Sequence, residues 1–247
     1  MAVDILDLTR FYETPLGRGV QALLCAQIER LWPQAAGPDE QILGYGYTPP
    51  LAETLWPEAD WHFLMPHQQG VMAAQKDAPQ SILTGETAWP VRDDSVNRLL
   101  VLHGLEAANE LELVLDEAWR VLRPNGRGLF IVPNRRGFWA RGDKTPFGAG
   151  RPFSGNQLRT SLHRTGFVPG RMQTALFVPP GLAQKLQGAP AWVELMTGFI
   201  APRFGGVWLV EAVKQVPAPL SVERARRARA RRLIGVPRPA LPVKNPF

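Results

Sequence analysis

Three groups of side chains carry the chemistry this sequence can offer. His103 closes a strongly apolar run, Leu99-Leu100-Val101-Leu102. A histidine at a strand end facing a cleft can serve as a general base, while one hydrogen-bonded to its surroundings serves structure alone. Arg135, Arg136, Arg141 and Lys144 crowd one segment, with Phe138 and Trp139 between them. Guanidinium groups take phosphate or carboxylate in two-pronged contacts, and the rings add apolar, stacking surface. A solvated loop has the same composition, and both readings stay open. The third group is Arg224, Arg226, Arg227, Arg229, Arg231 and Arg232, interleaved with alanine.

The charge is uneven. The chain of 247 residues carries +6, but residues 214–247 hold +8, which leaves −2 for the rest. The high pI therefore belongs to a tail, and the sequence divides into a domain over 1–214 and a basic Arg/Pro-rich segment over 215–247. Arg224, Arg227, Arg231 and Arg232 suit the phosphates of a nucleic acid, an anionic membrane surface or an acidic protein. A solvated extension is equally consistent with them. No aromatic residue stands among these arginines before Phe247, which argues against base stacking.

Other classes are disfavoured. One cysteine, Cys25, excludes an internal disulfide framework and a cysteine-rich zinc site, and its apolar neighbours make it a core residue. No His/Asp/Glu group has metal-ligand spacing, so no metal is expected. No segment has the apolar length of a spanning helix, and the N-terminal residues do not read as a signal peptide. The expectation is a cytoplasmic protein.

The elements that position these residues alternate. The periodicity predicts a mixed, extended or turn-like stretch over 1–14 and a helix from Leu16 to Trp32. Strands follow at 41–45, 61–65, 81–84, 97–103 and 128–132, with helices at 49–56, 68–75 and 109–122. A long loop covers 134–153, and Ser154 caps a helix through Arg164. Two further strands lie near 170–178 and 206–213, with partly helical chain between them. Short apolar strands alternating with helices argue for a parallel sheet covered on both faces.

Three stretches then resemble the class I S-adenosylmethionine-dependent methyltransferases, in the general-purpose, type 11-like branch. They are WPVRDDSVNRLLVLHGLE (89–106), LDEAWRVLRPNGRGLFIV (115–132) and FSGNQLRTSLHRTGF (153–167). The turn RVLRPNG among them is architectural: cations end a helix, and Pro124 and Gly126 turn the chain. The resemblance implies an α/β, Rossmann-like sheet of seven strands with helices on both faces and the last strand antiparallel. It also implies an S-adenosylmethionine site at the carboxyl ends of the first strands. The cofactor would meet Gly44, Tyr45, Gly46 and Tyr47 after the first strand, and Met65 at the end of the second. Glu86 and Thr87 after the third and His103 after the fourth would complete the site. The loop after the fifth strand, with Arg135, Arg136, Phe138 and Trp139, would overhang the substrate.

The first loop departs from that family's pattern. It reads Gly44-Tyr45-Gly46-Tyr47-Thr48-Pro49-Pro50, so the acidic position is Gly44 and later glycines are Thr48 and Pro50. Two prolines remove two backbone donors. No carboxylate ends the second strand at Met65-Pro66-His67. Two functions follow: methyl transfer to an unidentified small-molecule or macromolecular acceptor, or a catalytically inactive relative that binds nucleic acid or a protein through its tail. A dinucleotide oxidoreductase is disfavoured, because Gly44-x-Gly46 is too short for its fingerprint.

Overall fold

The computed structural model describes residues 3–33, 37, 39–70, 81–142, 145–185 and 204–216. The chain opens with a helix where the sequence suggested extended structure. Helix α1 (Ile5–Glu13) is capped by Asp4, whose side chain accepts from the Leu6 amide, and buries Ile5, Leu8, Phe11 and Tyr12. Nine residues hold too few turns for the period to stand out, and Thr14-Pro15 cuts the pattern off. Thr14 closes α1 with its amide and caps α2 (Pro15–Leu31) with its hydroxyl, which accepts from Gly17 at 3.0 Å. Glycine is needed there, because a Cβ on Gly17 would lie 2.0 Å from the Phe11 carbonyl oxygen.

The seven strands are β1 (Gln41–Gly46), β2 (Asp60–Pro66), β3 (Ser81–Thr84), β4 (Val96–Leu102), β5 (Leu122–Pro133), β6 (Phe167–Ala175) and β7 (Val207–Lys214). They form one sheet in the order β3-β2-β1-β4-β5-β7-β6. Strands β1 to β5 pair in parallel, and β7 runs antiparallel to both β5 and β6. The sheet is therefore the one expected, with its last strand reversed.

Alternation within the strands feeds two cores. Leu100 and Leu102 of β4 join the core beneath α1, α2 and the short α3 (Pro49–Ala52). Leu99 and Val101 join the opposite core beneath α4 (Leu111–Val121) and α5 (Gly155–Arg164). Full burial of each such side chain contributes roughly 1.5–3 kcal/mol. Cys25 lies in the first core, where burial pushes its thiol up to about 12.

Several boundaries differ from the sequence reading, among them β6, which begins at Phe167 rather than near 170, and α4, which begins at Leu111 rather than 109. Helix α3 stops at Ala52 rather than Trp56, since Trp56 takes a left-handed backbone (φ 47°) ahead of Pro57. Strand β5 begins at Leu122, directly after α4. Leu122 pairs with Val96, the chain bulges through Asn125 (φ 66°), and pairing resumes at Arg127. Helix α5 is fixed by a reciprocal cap: the Ser154 hydroxyl accepts from the Gln157 amide, and the Gln157 side chain accepts from the Ser154 amide.

Helix α6 (Pro180–Lys185) opens the stretch expected to be partly helical. Its remainder, most of the helix expected over 68–75, and Arg224, Arg227, Arg231 and Arg232 of the tail lie outside the described residues. Among the described residues no helix is long and apolar enough to cross a membrane, and no His/Cys/Asp/Glu group has metal-binding geometry.

Candidate functional site

The carboxyl ends of β1 and β4 meet through glycine. Gly46 takes φ +84°, and a Cβ there would lie 2.2 Å from the Leu102 carbonyl oxygen. A Cβ on Gly104 would lie 2.6 Å from the Tyr45 ring. Only residues without side chains let the two loops cross so closely. The Tyr47 amide then donates to the Leu102 carbonyl at 2.8 Å, locking the β1 loop onto β4.

Side chains from the β1 loop leave on opposite faces. Tyr45 stacks on Trp89 with ring centroids 4.5 Å apart. Tyr47 points to the other face and donates its hydroxyl to Thr9 of α1 at 3.0 Å. Both rings are buried, and burial raises both phenols above their ordinary pKa. Met65 is fully buried in the first core. The four positions Tyr45, Tyr47, Met65 and His103 thus share one sheet edge, at 3% exposure or less.

His103 is the centre of a polar chain. Its backbone is left-handed (φ 56°), a conformation that costs a non-glycine residue of order 1–3 kcal/mol. The Nδ1 atom lies 3.0 Å from Glu106 Oε1, and Nε2 lies 3.0 Å from the Tyr12 hydroxyl. The Gln69 side-chain amide donates to the His103 carbonyl. Phe147 covers the ring at 4.7 Å. His103 is 2% exposed and the Glu106 side chain 4%.

The chemistry of the partners fixes the proton. A carboxylate only accepts, so Nδ1 carries the hydrogen and donates to Glu106. The phenol of Tyr12 is pushed well above its ordinary pKa, first by burial and then by the charge of Glu106 and by Tyr47 and Cys25. It therefore keeps its proton, 3.0 Å from Nε2. The imidazole sits between a carboxylate at Nδ1 and a phenol hydroxyl at Nε2.

Sequence reasoning found His103 but not its partners. Glu106 stands three residues along, a spacing visible in the sequence. Tyr12 comes from a helix 91 residues away and left no local signal. Helix α1 itself is seated on this edge: Tyr12 meets His103, Thr9 meets Tyr47, and the Ile5 amide donates to the Gln69 carbonyl.

Glu86 has other work. Its carboxylate accepts from the Asn109 and Glu110 amides at 2.7 and 2.8 Å and from the Gln68 side chain at 2.9 Å. Burial pushes its pKa up, but these donors outweigh burial and hold it below the ordinary value. Glu86 is thereby directed at the chain entering α4. Thr87 beside it is exposed.

The overhanging loop divides. Trp139 is buried, donates its indole N–H to the Val178 carbonyl at 2.9 Å and packs edge-on to Phe147. It belongs to the core rather than a substrate mouth, since Gly206 leaves room for its ring. Phe138 is 45% exposed beneath the Arg141 guanidinium. Arg136 is exposed, and its amide donates to Asn134. Arg135 is exposed on the wall of a separate cavity.

Whether S-adenosylmethionine fits this edge is decided by free donors and acceptors. The β1 loop has no backbone donors to spare: the Tyr47 amide is bound to Leu102, the Thr48 amide to Gly46, and Pro49 and Pro50 have none. The usual backbone cradle for the cofactor's carboxylate is absent. The acceptor side is different. Gln69 Oε1, Glu106 Oε2 and Thr48 Oγ1 are buried without a hydrogen-bond partner. Such groups cost about 1–3 kcal/mol each. Gln69 and Glu106 both already touch His103, and their free oxygens fit an ammonium or hydroxyl donor, groups the cofactor carries.

Comparison with known proteins gives a likeness of structure only. No known family profile matches the sequence, and no curated protein matches it. An S-adenosylmethionine-dependent methyltransferase from Thermotoga maritima superposes with a TM-score of 0.58 at 15% identity, over 85% of this chain and 96% of that one. One from Archaeoglobus fulgidus gives 0.57 at 12% identity, over 85% and 100%. Geranyl diphosphate C-methyltransferase from Streptomyces coelicolor A3(2), solved with S-adenosyl-L-homocysteine, gives 0.54 at 16% identity, over 76% and 75%. Together with the reversed seventh strand, these likenesses show that the chain has the Rossmann-like fold of the class I methyltransferases.

Proposed function

We propose that the chain is an S-adenosylmethionine-dependent methyltransferase of the type 11-like branch, with His103 as the base that deprotonates the methyl acceptor. The observation that carries this reading is the buried Tyr12–His103–Glu106 chain at the carboxyl edge of β1 and β4. Open α/β sheets bind their ligands at such an edge, where the strand order reverses.

The residues act in sequence. Glu106 holds Nδ1–H and so keeps Nε2 unprotonated and aimed. An acceptor N–H or O–H would take the place of the Tyr12 hydroxyl at Nε2. Nε2 receives the acceptor's proton while its nucleophilic atom is held in line, and positioning supplies most of the acceleration. S-adenosylmethionine, when bound, supplies an electrophilic methyl group on sulfonium. Glu106 Oε2 and Gln69 Oε1 would take its donor groups. His103 then returns the proton to solvent.

Two of the usual contacts are missing, the loop amides and the acid after β2. At roughly 1–3 kcal/mol each, cofactor affinity falls by roughly thirtyfold to twenty-thousandfold. Calorimetric titration with S-adenosylmethionine and S-adenosylhomocysteine tests the reading, with weak but saturable binding expected. Neither heat nor thermal shift at millimolar ligand would sink it and favour the inactive relative. In that case the segment 215–247, and a nucleic acid or acidic partner for it, becomes the function to pursue.

A further inference from the structure

A second cavity opens beside the site, at the carboxyl end of β5. It has a volume of about 360 Å³, within the range of small-ligand sites. Its walls include Arg135 and Arg151 from the loop after β5 and Arg164 from the end of α5. Asn156 and Thr160 line it with Arg164. These three stand four residues apart and so share one face of α5. Among the described residues no carboxylate lines the cavity. Arg164 pairs with Glu112 at 3.3 Å in an exposed pair, which is worth little in water.

The guanidiniums are oriented but not used up. Arg151 donates from Nη2 to the Ala108 carbonyl at 2.8 Å, and Arg135 donates from Nη2 to the Pro152 carbonyl at 3.3 Å. Each guanidinium has five N–H donors, so most remain for a ligand. The loop carrying two of them is itself pinned: the Phe153 amide donates to Pro133 and the Arg135 amide to Phe153. Three cations from separate positions with amide and hydroxyl donors between them match a phosphoryl group, which offers several acceptor oxygens and up to two charges.

The cavity also adjoins the His103 chain. The Arg151 amide donates to the carbonyl of Glu106, the residue that orients His103, at 2.9 Å. We infer that this cavity binds the phosphoryl group of a small phosphorylated molecule, which is the methyl acceptor if the function proposed above holds. The phosphoryl group anchors the acceptor in the arginine cavity while its nucleophilic end reaches toward His103. The assignment of the molecule as acceptor rests on that function; the anion site does not.

The test is a calorimetric titration of the full chain with inorganic pyrophosphate, without S-adenosylmethionine, with citrate in a parallel series. Pyrophosphate should bind saturably and more weakly as salt rises. The Arg135→Gln/Arg164→Gln double variant should lose at least about tenfold in affinity. Arg123→Gln, on the opposite edge of the sheet, should leave affinity unchanged. Arg151→Gln should weaken binding as well, with near-UV circular dichroism reporting whether the loop keeps its packing. No binding at millimolar pyrophosphate, equal binding by the double variant, or citrate binding as tightly as pyrophosphate overturns the inference. Loss of methyl-donor binding with pyrophosphate binding intact would remove the methyltransferase reading and leave the anion site standing.

Discussion

Replacing Tyr12 by phenylalanine removes one oxygen from the polar chain and little else. The ring keeps its contacts, 5.1 Å from Phe11, 5.6 Å from Tyr47 and 5.9 Å from His103 between centroids. What is lost is the donor to His103 Nε2, in a site where the histidine is 2% exposed. Leaving that acceptor unmet costs about 1–3 kcal/mol, toward the lower end when a water enters. For a domain of this size each kcal/mol lowers the melting temperature by roughly 2–4 °C. Tyr12→Phe should therefore melt several degrees lower, with an unchanged urea m-value. A double-mutant cycle with Glu106→Gln makes the reasoning sharper. If Glu106 fixes the tautomer that Tyr12 serves, the two changes are coupled by at least about 0.5 kcal/mol. Nitrogen chemical shifts of the imidazole read the tautomer directly, with the hydrogen on Nδ1. A stability loss below about 0.3 kcal/mol with strict additivity, or a hydrogen on Nε2 in the wild type, would refute the chain as drawn.

Other consequences follow from the same geometry. Glu86→Gln should destabilise the fold by about 0.5–2 kcal/mol, since a carboxylate capping backbone amides is lost. Because the folded pKa of Glu86 is depressed, its contribution is full above the ordinary glutamate range and lost as the pH falls through the folded value. Urea melts of both proteins should therefore converge in acid. Ser154→Ala removes the cap of α5 and should cost about 0.5–2 kcal/mol in denaturant melts. Ala88 is exposed with φ 57°, so Ala88→Gly should be neutral or slightly stabilising in thermal melts, left-handed strain offsetting the entropy of the unfolded chain.

The sheet was legible because its signals were local. β3 matches its expected bounds, and β1, β2 and β4 match within one residue at either end. Ser154 announced α5 as its cap, and Gln157 completes that cap in the structure. Helix α1 was missed although Ile5, Leu8, Phe11 and Tyr12 share one side, because nine residues cut off by Thr14-Pro15 give the period only two turns to show itself. That omission hid Tyr12, and with it the reason His103 is buried rather than open to a cleft. Trp139 failed for a related reason: an aromatic in an arginine-rich loop reads as stacking surface until Gly206 is seen to make room for it in the core.

The glycines of the β1 loop separate two demands that the sequence pattern merges. A glycine at Gly46 is required by the fold, because the chain must pass β4 within reach of the Leu102 carbonyl at positive φ. Alanine there would meet both the collision and the strain, and Gly46→Ala should cost more than about 3 kcal/mol, measurable as loss of the cooperative urea transition. The later positions, Thr48 and Pro50, carry no such demand: Thr48 starts α3 and Pro50 is tolerated in its first turn. Glycine at those places serves a ligand that must lie against backbone, and it can be lost without harm to the sheet. The glycine the architecture needs at this crossing is present, and Thr48 and Pro50 stand where the fold makes no such demand. Around His103 stand the Glu106 carboxylate, the Tyr12 hydroxyl and buried oxygens without a partner. If the edge is functional, its specificity lies in that polar chain and in the arginine cavity next to it, with the β1 loop reduced to a structural crossing.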